Sequence, residues 1–211
     1  MYNYEKRLQY PVNIKIKSPK IAQIVISQYG GPDGEAGAAM RYMSQKFAMK
    51  NPKVAGLIND IAVEELGHLE MVGSIVSQLV KDLPCDDIDL AGFEKYYVDH
   101  TLGVWPQSAG GVPFSATTFQ SCGDPIADLI EDMAAEQKAR KTYDNILTLV
   151  KESDVREPIK FLRAREIVHF QRFGEALRMV TEDMDKKNFY AFNPNSCVKS
   201  VSYTHLTLPT I

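Results

Sequence analysis

The chain has few of the residues that mark several common kinds of site. Its three cysteines, Cys85, Cys122 and Cys197, are widely spaced and form neither a CxxC metal pair nor a disulfide framework, so we expect isolated thiols. The formal net charge is -3, and no basic excess favours nucleic acid. No apolar run reaches the length of a membrane span. The first residues, MYNYEKRLQY, lack the apolar segment of a signal peptide, so we expect no secretion by that route.

Helical periodicity occupies four segments. The first begins at Ser18-Pro19, and the others run from Asn51-Pro52 to about Lys81, from Asp124-Pro125 to about Glu152 and from Glu157-Pro158 to about Asp185. Residues 82–124 are rich in proline and glycine and form a long connection. Two helices, a long connection and two further helices predict an all-α, ferritin-like four-helix bundle with a crossover between helices 2 and 3.

Three regions follow from this pattern. Residues 1–17 form an extended N-terminal arm, residues 18–185 the bundle, and residues 186–211 an irregular C-terminal tail. The tail ends in SVSYTHLTLPTI, whose composition changes abruptly, and we interpret this end as unrelated to function and as a candidate non-native addition.

The stretch GGPDGEAGAAMRY interrupts the first helical segment. It does not match a phosphate-binding loop, because no Gly-Lys-Ser/Thr follows it and Glu35 stands where an anion would bind. The apolar positions before and after the break are in phase. We therefore predict a kinked helix or two nearly coaxial helices, with Glu35 pointing inward just past the break.

Two Glu-x-x-His pairs lie on apolar faces of the predicted second and fourth helices. Glu65 and His68 continue one apolar stripe, and Glu166 and His169 continue the other. A single such pair is usually a surface feature, but two copies that interrupt core stripes are harder to explain without a ligand. A buried carboxylate is costly unless it is compensated, and a metal ion compensates several carboxylates together.

Two further glutamates complete an internal repeat. Glu35 precedes Glu65 by 30 positions, Glu136 precedes Glu166 by the same 30, and the two halves are offset by 101 positions. One Glu from each of two helices and a Glu-x-x-His pair from each of the other two is the arrangement of dinuclear carboxylate bundles. Oxygen-rich ligation favours manganese or iron, and the sequence contains no haem or dinucleotide motif.

Five segments resemble one family. LQYPV, QYGGPDGEAGAAMRYMSQ, IAVEELGHLEMV, DLIEDMAAEQKARKTYDNIL and REIVHFQRFGEAL are similar to segments of the manganese catalases. In length the chain resembles their short relatives, the CotJC-type spore-coat proteins, and the resemblance covers about residues 7–180. It implies disproportionation of hydrogen peroxide to water and dioxygen with two manganese ions per chain. It also suggests a homo-oligomer, a hexamer, located in the cytoplasm or the spore coat, with spore-coat proteins as further partners.

The resemblance also implies metal ligands. Glu35 and His68 would bind one manganese, Glu136 and His169 the other, and Glu65 would bridge the two.

Two other residues would act beside the ligands. Glu166 would transfer protons close to the metals without binding them, whereas in a generic di-iron bundle the same glutamate would be a second bridging ligand. Tyr42 would hydrogen-bond the ligand glutamates, and a plain core aromatic is the alternative. The chain departs from some manganese catalases at Ala135, where they place a large basic residue, and this predicts a more open site.

Two other functions remain open from the sequence. One is a di-iron peroxidase or ferroxidase, against which the absence of a CxxC pair counts. The other is a structural spore-coat protein with a vestigial metal site. We also expect residues 82–124 to cover a substrate channel or a subunit contact.

Overall fold

Eight α-helices occur in the parts of the chain that the structure describes, namely residue 5, residues 7–90 and residues 93–185 of a computed structural model. They are α1 (Pro19–Val25), α2 (Ser27–Gly30), α3 (Glu35–Gln45), α4 (Pro52–Val80), α5 (Cys85–Leu90), α6 (Glu94–His100), α7 (Pro125–Leu149) and α8 (Ser153–Asp185). Two 3-10 turns, Lys46–Ala48 and Ala116–Thr118, supplement them. None of these helices is long and apolar enough to cross a membrane. The predicted C-terminal tail lies outside the described residues.

Side-chain caps followed by proline begin two of the long helices. The Asn51 side chain accepts a hydrogen bond from the Lys53 backbone N–H at 3.0 Å, at the start of α4. Asp124 accepts from the backbone N–H groups of Ile126 and Ala127 at 3.0 and 2.9 Å, at the start of α7. Proline suits the first turn because its missing N–H has no intrahelical partner there. Both helices therefore begin where the sequence predicts.

The four-helix bundle consists of two packed pairs. Helix α3 packs along α4, α7 packs along α8, and α4 contacts α8. The connection from α4 to α7 contains α5 and α6 and takes the place of the predicted crossover. This architecture confirms the predicted all-α bundle, and it brings the two Glu-x-x-His helices face to face.

The division of the first segment and the start of α8 differ from the sequence prediction. The first long segment is divided into α1, α2 and α3, with a bend at Ile26 and a non-helical turn from Gly31 to Gly34. Helix α8 begins at Ser153 rather than at Pro158, so Pro158 lies inside the helix. A proline this close to the helix start costs a single backbone hydrogen bond, and Asp154 and Val155, four and three residues before it, are compatible with a first helical turn.

The crossover packs against the outer side of the broken first segment. A methyl group added to Gly30 would lie 2.3 Å from the backbone of Pro106 and Gln107, so only glycine fits this contact. Further along, the Arg41 Nη2 group donates to the Thr118 carbonyl at 2.7 Å. These contacts fix the position of α3, the helix that begins with Glu35.

The N-terminal arm lies on the bundle. The backbone N–H of Ile14 donates to Gln78 Oε1 at 2.8 Å, and Gln78 Nε2 donates to the Val12 carbonyl at 3.1 Å. Tyr10 stacks on Phe161 of α8 with ring centroids 5.2 Å apart. The arm therefore covers the outside of α4 and α8.

Two apolar clusters fill the bundle at either end of a polar layer. One cluster packs α1 against the C-terminal half of α4, the end of α7 and the start of α8, and includes Val25, Ile75 and Leu162. The other packs α3, the start of α4 and the end of α8, and includes Ile58 and Phe173. The side chains of both Glu-x-x-His pairs lie between the clusters along the sequence of α4 and α8, so the charged layer is closed off on both sides.

Candidate metal centre

Six predicted site residues meet in the polar layer between the two apolar clusters. None has more than 2% of its surface exposed, and they are Glu35, Glu65, His68, Glu136, Glu166 and His169. The first turn of α3 supplies Glu35, α7 supplies Glu136, and α4 and α8 supply the two Glu-x-x-His pairs. Four carboxyl groups and two imidazoles thus converge from four helices.

Both imidazoles turn their Nδ1 atoms into the layer. The Nδ1 atom of His68 lies 2.7 Å from Glu65 Oε2, and the Nδ1 atom of His169 lies 2.6 Å from Glu65 Oε1. The two rings are nearly parallel, at 21°, with centroids 5.4 Å apart. Glu65 therefore presents one oxygen to each histidine, which is the geometry of a carboxylate able to bridge two metal ions.

The two remaining carboxylates associate with different histidines. Glu35 Oε2 lies 3.8 Å from His68 Nδ1, and Glu136 Oε2 lies 3.6 Å from His169 Nδ1. The same two pairs are the ones that the family resemblance implies as ligands of the two metal ions.

Glu166 lies in the same layer. Its Oε1 atom is 4.0 Å from His68 Nδ1. One donor atom each from Glu65, His68, Glu166 and His169 fits within 4.8 Å, a spacing that can hold a metal ion. Direct ligation by Glu166 and proton transfer beside the metals are both compatible with this position.

Several oxygen and nitrogen atoms of the layer that could bind a metal ion have no hydrogen-bond partner among the described residues. They are Glu65 Oε1, Glu136 Oε2, Glu166 Oε1 and His169 Nδ1. Glu65 Oε1 and His169 Nδ1 are close to each other, yet they are not aligned as donor and acceptor. Unpartnered buried polar atoms are costly, and a metal ion at the point of convergence would satisfy them together. The donor set, carboxylate oxygens with one imidazole for each ion, fits manganese or iron.

Burial and crowding of like charges shift the pKa values of the metal-free layer. Desolvation by burial, followed by the charge of Glu65, raises the pKa of Glu35 to about 8. Burial also raises the pKa of Glu166 well above its usual value, together with the charges of Glu35, Glu136 and Glu65. For Glu65 burial acts in the same direction, but the two adjacent histidines outweigh it and lower the pKa. Without metal, these shifts favour the protonated forms of Glu35 and Glu166 and the ionised form of Glu65.

Two tyrosines connect the two helix pairs through hydrogen bonds to Glu35 and Glu136. Tyr42 of α3 donates to Glu136 Oε1 on α7, and Tyr143 of α7 donates to Glu35 Oε1 on α3. Both phenols are fully buried. A role for Tyr42 is expected from the sequence, whereas Tyr143 is not among the predicted site residues. The internal repeat contained the signal, because Tyr143 follows Glu136 by the same seven positions that separate Tyr42 from Glu35.

A second residue that the sequence analysis missed is Glu64. It stands directly before Glu65, and its carboxylate lies beside the outward-facing Nε2 atoms of both histidines. Its position off the apolar stripe makes it resemble an ordinary surface glutamate in the sequence.

A cavity of about 10 Å³ adjoins the layer, which is about the least space that admits one water molecule. Its walls include the site residues Glu35, Tyr42, Glu136 and Glu166, with Arg41, Ala135 and residues 32–34 among its other lining residues. Ala135 is buried, so its small side chain leaves room at this point. No described residue of the crossover lines the cavity, so this space gives no support to the prediction that the crossover covers a substrate channel.

Comparison with known proteins assigns this chain to a family. A sequence model described as manganese containing catalase matches residues 1–209. The chain belongs to the manganese catalase family. The matched range extends beyond residues 7–180, which carry the resemblance, into the predicted C-terminal tail.

Relatives within the manganese catalase family agree with this assignment. Protein CotJC of Bacillus subtilis is 45% identical over 90% of this chain and 100% of its own length. A probable manganese catalase of Clostridium acetobutylicum is 32% identical over 90% of this chain and 85% of its own length. The crystal structure of KatB, a manganese catalase from Anabaena, superposes with a TM-score of 0.79 at 31% identity, covering 86% of this chain and 81% of that chain.

Proposed function

We propose that this protein is a manganese catalase that disproportionates hydrogen peroxide to water and dioxygen. The observation that carries the proposal is the buried layer itself, in which Glu65 faces the Nδ1 atoms of both histidines at 2.6 and 2.7 Å. A protein that did not bind metal would not need to keep four carboxyl groups out of water.

The proposed ligand set follows the two halves of the bundle. Glu35 and His68 would hold one manganese ion, Glu136 and His169 would hold the other, and Glu65 would serve both. When bound, the pair of ions supplies the two-electron exchange with peroxide that no side chain of the layer can provide.

Glu166 is the proposed proton carrier. Its Oε1 atom is buried and has no hydrogen-bond partner in the described part of the chain, and Glu166 is one of the residues that line the cavity. A carboxyl group in this position accepts a proton from the O–H of incoming peroxide and returns it to the departing product. In the metal-free chain, burial and the charges of neighbouring carboxylates raise the pKa of Glu166, so this carboxyl group is able to hold a proton within the layer.

The proposed approach path for peroxide is the cavity beside Ala135. Arg41 lines it, and the Nε and Nη1 groups of Arg41 have no partner among the described residues. The Arg41 guanidinium on α3 thus supplies a positive charge near the carboxylates. Some manganese catalases instead place a basic residue at the position of Ala135, on α7.

A structural role in the spore coat is the second candidate. Its support is the similarity to Protein CotJC, which this chain matches over 100% of that protein's length. Catalysis and a place in the coat are compatible, and together they would put peroxide removal at the spore surface.

Metal analysis of the purified protein together with oxygen evolution from peroxide tests the proposal. Two manganese ions per chain with oxygen release is the expected result. Iron without oxygen release would support a di-iron peroxidase, and assembled protein without metal would support a purely structural role.

A further inference from the structure

The outward-facing nitrogens of the two histidines share one acidic neighbour. The Nε2 atom of His169 lies 3.2 Å from Glu64 Oε2, and the Nε2 atom of His68 lies 3.7 Å from Glu64 Oε1. Both Nε2 atoms are buried and have no aligned hydrogen-bond partner in the described part of the chain. Glu64 contacts them at ion-pair distance, and its side chain is 17% exposed.

The chemistry of coordination gives these contacts a meaning. An imidazole that binds a metal through Nδ1 carries its proton on Nε2. A buried N–H group without an acceptor costs free energy, so each histidine needs an acceptor on its outer side. A carboxylate has two oxygens and several lone pairs, so the single side chain of Glu64 is able to serve both rings.

Arg165 restrains this carboxylate. Its Nε group donates to Glu64 Oε1 at 2.6 Å. Arg165 also occupies the position equivalent to Glu64 in the second half of the chain, offset by 101 positions. The internal repeat therefore breaks here, with an acid in one half and a base in the other. Two glutamates at these positions would repel each other, whereas the observed pair leaves one oriented acceptor between the histidines.

We propose that Glu64 is a positioning residue that accepts the Nε2–H groups of both His68 and His169 and thereby presents both Nδ1 atoms to the metal ions. This inference rests on the proposed metal centre. Glu64 itself binds no metal and touches no substrate in this account.

Manganese affinity of glutamate variants tests the inference. Equilibrium dialysis with Mn²⁺ alone is expected to show binding weakened about 10- to 100-fold in Glu64→Ala, the range typical of groups that orient metal ligands. Glu64→Gln is expected to lose less, because its amide oxygen still accepts a hydrogen bond. Glu175→Gln, which removes an exposed charge from α8, is the matched control and is expected to bind as the wild type does.

Thermal unfolding of the metal-free variants separates positioning from folding. We expect Glu64→Gln, which keeps the volume of the side chain, to unfold at nearly the wild-type midpoint while its affinity for manganese falls. Wild-type affinity in Glu64→Ala would overturn the inference, and so would equal losses in the Ala and Gln variants, since charge alone would then explain them. Failure of the wild-type protein to bind manganese would instead overturn the proposed function on which the inference rests.

Discussion

At the scale of single residues, two phenols connect the halves of the site. Tyr42 donates to Glu136, and Tyr143 donates to Glu35. Each phenol therefore contacts a carboxylate on the other pair of helices. Each hydrogen bond fixes one carboxylate oxygen and leaves the other directed toward a histidine. The terminal ligands are therefore oriented by groups that bind no metal.

Removing either phenol should lower the affinity for manganese at one of the two metal positions. We expect Tyr143→Phe and Tyr42→Phe each to weaken manganese binding about 10-fold or more, because one carboxylate oxygen loses the phenol that donates to it. Manganese content after dialysis measures this, and Tyr97→Phe on the exposed side of α6 is the control. Normal manganese content in Tyr143→Phe would show that this tyrosine only fills space.

Glu166 allows a direct test of proton transfer. The Glu166→Gln variant should keep both manganese ions yet lose about 100-fold or more in peroxide turnover, because an amide cannot exchange the proton. Metal content and oxygen evolution are measured on the same sample. Full turnover would contradict the role in proton transfer, and loss of manganese would indicate direct ligation instead.

The site could be predicted from the sequence to the extent that it interrupts an apolar pattern. Glu65, His68, Glu166 and His169 interrupt stripes whose period is helical, so their burial can be inferred. Glu64 could not be found in this way, because its importance depends on two histidines that come from different helices. Tyr143 was accessible through the internal repeat alone, since a buried tyrosine and a core aromatic look the same in one sequence.

At the scale of elements, the broken first segment shows where sequence patterns lose precision. The phase of the apolar positions predicts continuity across the glycines, and burial of Glu35 agrees with it. The additional bend at Ile26 has no glycine or proline to mark it. The sequence predicts the start of α8 at Pro158, because proline suits a first helical position, whereas the helix begins five residues earlier at Ser153. Tertiary packing decides such boundaries.

Two glycines offer a matched test of the crossover contact. Gly30→Ala should destabilise the fold by about 1–3 kcal/mol, because its methyl group would overlap the backbone of the crossover. Gly56→Ala should stabilise it by about 0.5–1 kcal/mol, because Gly56 lies in α4 with nothing within 4 Å of the added methyl group. Chemical denaturation of the metal-free protein measures both. An unchanged free energy of unfolding in Gly30→Ala would mean that the crossover moves away easily.

At the scale of the whole molecule, the buried layer of Glu and His side chains links the stability of the fold to the binding of protons and of metal. Without metal, burial and the charge of Glu65 raise the pKa of Glu35 to about 8. Burial opposes protonation of His169, but Glu65 outweighs it and raises this pKa to about 12. Both groups hold protons in the folded chain at pH values where the unfolded chain has lost them.

The direction of the pH dependence follows. Between about pH 5 and pH 8 the folded metal-free chain binds more protons than the unfolded chain, so its free energy of unfolding should fall as the pH rises. Metal ligands must be deprotonated, so manganese affinity should rise over the same range. Thermal unfolding and calorimetric titration in buffers of different ionisation enthalpy measure the two effects. Binding at about pH 7 without proton release would contradict the account.

The central claim concerns turnover by the assembled site. The most direct measurement is oxygen release when hydrogen peroxide is added to wild-type protein loaded with manganese, in the absence of any reductant. The account predicts sustained oxygen evolution that Glu166→Gln largely abolishes. Protein that holds two manganese ions per chain and releases no oxygen would contradict it.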